Sequence, residues 1–154
     1  MSTTTTDRIE KQVLLRAPRS RVWRAIADSK EFGAWFQCML EGPFQPGRQV
    51  RGRITYPGYE HLTMEIVVEK VEPERLLSFR WHPNATDPKA DYSKEPTTLV
   101  EFTLEEAAGG TLLRVVESGF DGIPIARRAA ALKGNESGWA HQMTAIETYL
   151  RQNP

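Results

Sequence analysis

Two glutamates sit where a carboxylate is out of place. Glu117 shares one face of an alternating run with Leu113 and Val115, and Glu136 interrupts an apolar stripe near the C-terminus. A carboxylate on an apolar face can hydrogen-bond a ligand or act as an acid in a low-polarity site. The plainer alternatives are a charge at a strand end for Glu117 and escape to solvent for Glu136, since acids are rarely buried without a partner. The remaining chemistry is sparse. His61, His82 and His141 lack the paired spacing of a metal site, and Cys38 is the only thiol, so no metal is expected. No nucleophile elbow, phosphate loop or dinucleotide fingerprint is present, and no catalytic set or cofactor is predicted. Arg51 and Arg53 share a strand face that could hold an anion, with a solvated outer face as the simpler reading.

Glu136 belongs to a stretch from Gly122 to Gln152. Its apolar positions Ile125, Ala129, Leu132, Trp139, Met143, Ile146 and Leu150 follow the three-and-four spacing of one helix face. Pro124 suits the first turn. Gly134 and Gly138 flank the acid and would leave gaps in the helix surface. A long amphipathic C-terminal helix is predicted, and a sheet must cover it.

The preceding chain supplies that sheet. Arg8–Arg16 alternates as a first strand. Ala17-Pro18 ends it and opens a short helix over 19–28, and Ser29 is the expected cap of a second through Phe32 and Trp35. Phe36–Leu40 reads as a short strand. Then the period becomes two: Val50, Gly52, Ile54 and Tyr56; Leu62, Met64, Ile66 and Val68; Leu77, Phe79 and Trp81; Val100, Phe102 and Leu104; Leu113, Val115 and Glu117. Residues 83–96 are polar and proline-rich, a long loop. Short turns elsewhere favour an antiparallel meander. The class is α+β: a curved antiparallel sheet of six to seven strands around one long helix, with two short helices after the first strand.

Composition narrows the function. The chain has 154 residues, with 20 basic and 20 acidic side chains, which disfavours nucleic-acid binding. No apolar run approaches the roughly 20 residues of a membrane span. A single cysteine permits no intrachain disulfide and fits a cytoplasmic protein. Residues 1–7, rich in threonine, read as a disordered tail, and residues 8–152 as a single domain.

Several stretches carry a family resemblance. Ala17-Pro18 with Val22-Trp23-Arg24-Ala25-Ile26, then Trp35-Phe36, Phe79-Arg80-Trp81-His82-Pro83, the hairpin Thr97–Leu104 with Gly109-Gly110-Thr111, Glu117-Ser118-Gly119-Phe120, and Asn135-Glu136-Ser137-Gly138-Trp139 occur in order. Together they resemble the helix-grip fold of the START and birch-pollen-allergen (SRPBCC) superfamily. Within it, they resemble bacterial proteins similar to the C-terminal domain of the activator of the heat-shock-protein-90 ATPase. The resemblance implies a hydrophobic cavity between sheet and helix that holds a small hydrophobic or amphipathic ligand. It also leaves open a cyclase- or hydrolase-like enzyme using Glu117, Glu136 or His82, or a chaperone-associated module in stress response. A homodimer is a further partner expectation. Cavity candidates are Met64, Phe79, Trp81, Phe102, Val115, Glu117, Glu136, Trp139 and Met143, with Trp35, Phe36 and Met39 as the gate. A filled core is the alternative for the apolar ones.

Overall fold

The computed structural model describes residues 7–87 and 89–154. Residues 1–6, most of the expected tail, lie outside the described residues. Asp7 does not belong to a tail: its carbonyl accepts from the N–H groups of Gly119 and Phe120 at 3.0 and 3.1 Å, and its carboxylate from that of Asp121 at 3.1 Å.

The elements run β1 (Arg8–Leu15), α1 (Arg19–Ala27), α2 (Ser29–Phe36), β2 (Cys38–Leu40), β3 (Gln49–Ile54), β4 (Thr63–Glu72), β5 (Leu76–Trp81), β6 (Thr98–Ala107), β7 (Gly110–Ser118), a 3-10 turn (Phe120–Gly122) and α3 (Ile125–Gln152). The seven strands form one sheet in the order β1-β7-β6-β5-β4-β3-β2. Every pairing is antiparallel. Consecutive strands from β2 to β7 are neighbours, including β5 and β6, which the long loop separates in sequence. β1 instead joins the far end, with Arg8 opposite Ser118 and Leu15 opposite Thr111. This is the helix-grip fold.

Alternation decides the two faces. In β4, Met64, Ile66 and Val68 are buried while Thr63, Glu65 and Val67 are exposed. In β7, Thr111, Leu113, Val115 and Glu117 point inward. Gly52 of β3 is required by close approach, because a Cβ there would strike the carbonyl of Met39 on β2. The core lies between the sheet's inner face and the helices. Phe32 of α2 sits at its centre, its ring 4.9 Å from Trp35, 4.8 Å from Phe36 and 5.5 Å from Phe44.

Two expectations shift by one residue. Asp28, not Ser29, caps α2, accepting from the N–H groups of Lys30 and Glu31 at 2.9 and 3.1 Å. A carboxylate at this position also favours the positive end of the helix. The inward stripe of α3 is Ala131, Trp139, Met143, Ile146 and Leu150. Ala129 and Ile125 are exposed. Stepping back from Trp139 by four residues gives Asn135 and then Ala131, whereas steps of three and four give Glu136 and Leu132. The helix follows the first path.

Candidate functional site

Glu117 is the centre of the site. Its side chain is 0% exposed, and an unsatisfied carboxylate there would be costly. Four side chains solve this. Trp81 Nε1 donates to Oε2 at 2.7 Å and Thr98 Oγ1 to the same oxygen at 2.5 Å. Trp139 Nε1 donates to Oε1 at 2.8 Å, and Asn135 Nδ2 reaches both oxygens, at 2.9 and 3.1 Å. Among the described residues no cationic side chain pairs with Glu117.

Local structure explains the convergence. Trp81 ends β5 opposite Thr98, which begins β6. Glu117 lies near the end of β7, opposite Val100. All three face inward, and Asn135 and Trp139 meet them from α3, one helical turn apart. The two indoles stack with centroids 5.6 Å apart and an interplanar angle of 27°. Phe36 closes on this pair at 6.1 Å from Trp81 and 6.0 Å from Trp139.

Above this cluster opens a cleft of about 1090 Å³, at the upper end of typical ligand pockets. Phe36, Ile54, Met64 and Trp81 are its apolar floor. Tyr56, Tyr59 and Leu62 come from the β3–β4 connection, and Ala85, Asp91 and Tyr92 from the 83–96 loop. The opposite wall is the α3 face from Gly134 to Gln142. A Cβ at Gly138 would meet nothing within 4 Å, so this glycine leaves real space. One at Gly134 would touch Asn84 at 3.3 Å. Gln49, Glu65, Val67 and Arg80 also border this volume from the outer face of β3–β5, where Gln49, Val67 and Arg80 pair in register, so part of it lies outside the space between sheet and α3. The loop is anchored by Arg127 of α3, which pairs with Glu95 at 2.7 Å, donates to the carbonyls of Pro83 and Asn84, and lies 4.8 Å from the centre of the Tyr92 ring.

The predicted site residues separate into groups. Phe36, Met64 and Trp81 line the cleft. Glu117 and Trp139 lie directly beneath it, in the hydrogen-bonded cluster. Phe79, Phe102, Val115 and Met143 are buried core below. Trp35 is core as well, its indole N–H held by the Ala25 carbonyl at 2.8 Å; it does not gate the cleft. Met39 is 62% exposed, because alternation in β2 turns Cys38 inward and its neighbour outward. Glu136 is likewise corrected: its side chain is 58% exposed and lies 3.5 Å from Lys11 of β1.

Asn135, Thr98, Tyr92, His61 and His141 are not among the expected site residues, whereas His82, expected only as an alternative acid or base, borders the cleft. Asn135 had a signal, lying four residues before Trp139 on the same helix face. The three histidines all border the cleft, although distant in sequence. Among the described residues no three metal-ligating side chains converge, and no helix is long and apolar enough to cross a membrane.

No curated protein sequence matches this chain significantly. Solved structures do. Protein MLL2253 from Mesorhizobium loti superposes with a TM-score of 0.74 at 23% identity, over 96% of this chain and 98% of its own. DynU16, described as a putative protein in the dynemicin biosynthetic locus, gives 0.73 at 26% identity over 96% of this chain, which spans only 48% of DynU16. The Aha1 dimer from Colwellia psychrerythraea gives 0.66 at 15% identity, over 91% of this chain and 92% of its own. The family described as Activator of Hsp90 ATPase homolog 1-like protein matches residues 16–151, which span everything from the end of β1 through α3, and the chain belongs to that family.

Proposed function

We propose that this protein binds a small hydrophobic or amphipathic molecule in the cleft between its sheet and α3, as a binder rather than a catalyst. The observation that carries this is the open volume over Trp81, where Gly138 leaves the helix wall bare. Apolar walls with a few polar groups suit such ligands.

The arrangement of acids and bases supports binding over catalysis. Both oxygens of Glu117 are occupied by donors from the protein itself. Nε2 of His82 lies 3.0 Å from the Glu95 carbonyl, an acceptor-only partner that this nitrogen meets with an N–H. Glu136 is outside the cleft. A general acid or base must reach its substrate, and neither glutamate offers that reach.

We also infer that residues 8–152 act as one domain, supported by one continuous sheet and one core cluster. A cytoplasmic setting is supported by a lone, buried, unpaired cysteine.

Thermal unfolding against a library of lipids and small aromatic compounds tests the binding reading. A ligand at a hundred times its dissociation constant stabilises by about 2.7 kcal/mol, and so raises Tm. The rise should vanish in Gly138→Phe, which fills the cleft. A library that leaves Tm unchanged throughout refutes the reading.

A further inference from the structure

Charge in and beneath the cleft is one-sided. Asp87 and Asp91 line it from the 83–96 loop. The Asp91 carboxyl is held below its ordinary range by hydrogen bonds from the hydroxyl and N–H of Ser93. Glu117 stands directly behind Trp81 with no cation against it. Among the described residues, the one arginine bordering the cleft, Arg80, lies on the outer face of the sheet and is engaged with Glu69 at 2.7 Å. Arg127 is also engaged, with Glu95.

Trp81 is the surface on which this charge acts. One face of its indole is stacked on Trp139, its N–H is consumed by Glu117, the rings of Phe36 and Phe79 lie 6.1 and 5.4 Å away, and the part of its surface left open lines the cleft. An indole whose N–H donates to a carboxylate is polarised toward greater electron density on the ring, and an electron-rich ring face attracts cations. A cleft walled by one sign of charge concentrates the field further. A cationic group placed there faces the two aspartates, while Arg80 and Arg127 are each paired with a glutamate of their own. An anionic one faces the two aspartates and the glutamate behind the ring.

We propose that the cleft selects small aromatic molecules carrying a permanent positive charge, seated against the part of Trp81 that lines the cleft, with Asp87 and Asp91 supplying counter-charge at the mouth. The proposal rests on the cleft being a ligand site and adds the class of ligand. It gives the buried carboxylate a role in recognition although it touches no ligand: Glu117 is a positioning residue that fixes and polarises the indole.

Three matched bicyclic probes test it: 1-methylquinolinium, quinoline and 1-naphthoate, cationic, neutral and anionic. Titrations run at about pH 8. Indole N–H resonances of 15N-labelled protein report on Trp81, and calorimetry gives the affinities. The expected result is 1-methylquinolinium binding about tenfold or more tightly than either other probe, a difference the cation–π contact alone can supply when desolvated. In the double variant Asp87→Asn, Asp91→Asn, the preference should fall to about threefold or less while quinoline affinity holds. Glu105→Gln, an exposed charge change away from the cleft, should leave the preference intact. Quinoline or 1-naphthoate shifting the Trp81 resonance at equal or lower concentration overturns the charge selection and leaves ligand binding standing. Failure of all three to shift it overturns the selection and counts against the binding reading too.

Discussion

The indoles of Trp81 and Trp139 lie 5.6 Å apart and nearly parallel, and each donates its N–H to a different oxygen of Glu117. One comes from the sheet and one from the long helix, so a single carboxylate fastens the two layers at the base of the cleft. The carboxylate is acceptor-only when ionised, and three of its four partners, the two indoles and the Asn135 amide, present only N–H donors there.

Glu117→Gln should therefore destabilise the protein despite its near-identical shape. Its amide nitrogen is a donor and would face other donors whichever way it turned. Leaving buried donors unmatched costs about 1–3 kcal/mol. Urea unfolding followed by tryptophan fluorescence measures the loss, and a Gln variant as stable as the parent would contradict the clamp.

Gly138 separates stability from binding. In mid-helix, glycine is less favourable than alanine by about 0.5–1 kcal/mol, and a Cβ there meets open space. Gly138→Ala should raise stability by that amount in the same unfolding assay. Gly138→Phe should fold normally and lose ligand-induced gains in Tm.

A second, half-buried node should set the acid limb of stability. Burial alone would raise the Glu31 carboxyl, but hydrogen bonds from Tyr149 and Arg24 and the charge and hydrogen bond of Arg21 outweigh it and hold Glu31 below the ordinary 4.5. Tyr149 donates to it at 2.8 Å and Arg21 pairs with it at 2.9 Å. A depressed carboxyl contributes stability above the unfolded value and loses it as pH falls through the folded one. Glu31→Gln should flatten the fall in Tm below about pH 4.5 relative to the parent; parallel curves would refute the assignment.

Cys38 should be silent until the protein opens. Burial pushes its thiol from 9.0 up to about 12, so thiolate is scarce at neutral pH and access is closed. A thiol reagent should react only at the rate of unfolding. Because the folded value is raised, this group's contribution is present below about 9 and is lost as pH rises toward about 12.

Most strands were legible because period two survives in short segments: Leu62 to Val68 and Thr111 to Glu117 alternate without a break. The assignment of Glu117 to the interior follows from that parity. Glu136 shows where periodicity stops being decisive. A helix face admits steps of three or four, so Glu136 and Asn135 both continue a path to Trp139, and only contact with the sheet chooses between them. Burying the amide satisfies donors and acceptors, while the acid finds Lys11 outside. Met39 was misplaced because a strand of three residues carries too little pattern to set its phase. The cleft itself depends on where the 83–96 loop folds back, and the anchoring of that loop by Arg127 joins residues with no sequence signature.

The placement of β1 against β7 bears on how the chain comes into being. β1 is made early by the ribosome, yet its partner strand ends at Ser118, roughly a hundred residues later, and synthesis proceeds at about 5–20 residues per second. For several seconds the nascent strand has nothing to join, and the sheet can be completed at this border only after β7 exists. Arg8, Glu10 and Lys11 make that waiting segment well charged, which guards an unpaired strand against mispairing with neighbouring chains. Charges on β1 are thus expected to matter more for yield during expression than for the stability of the finished protein.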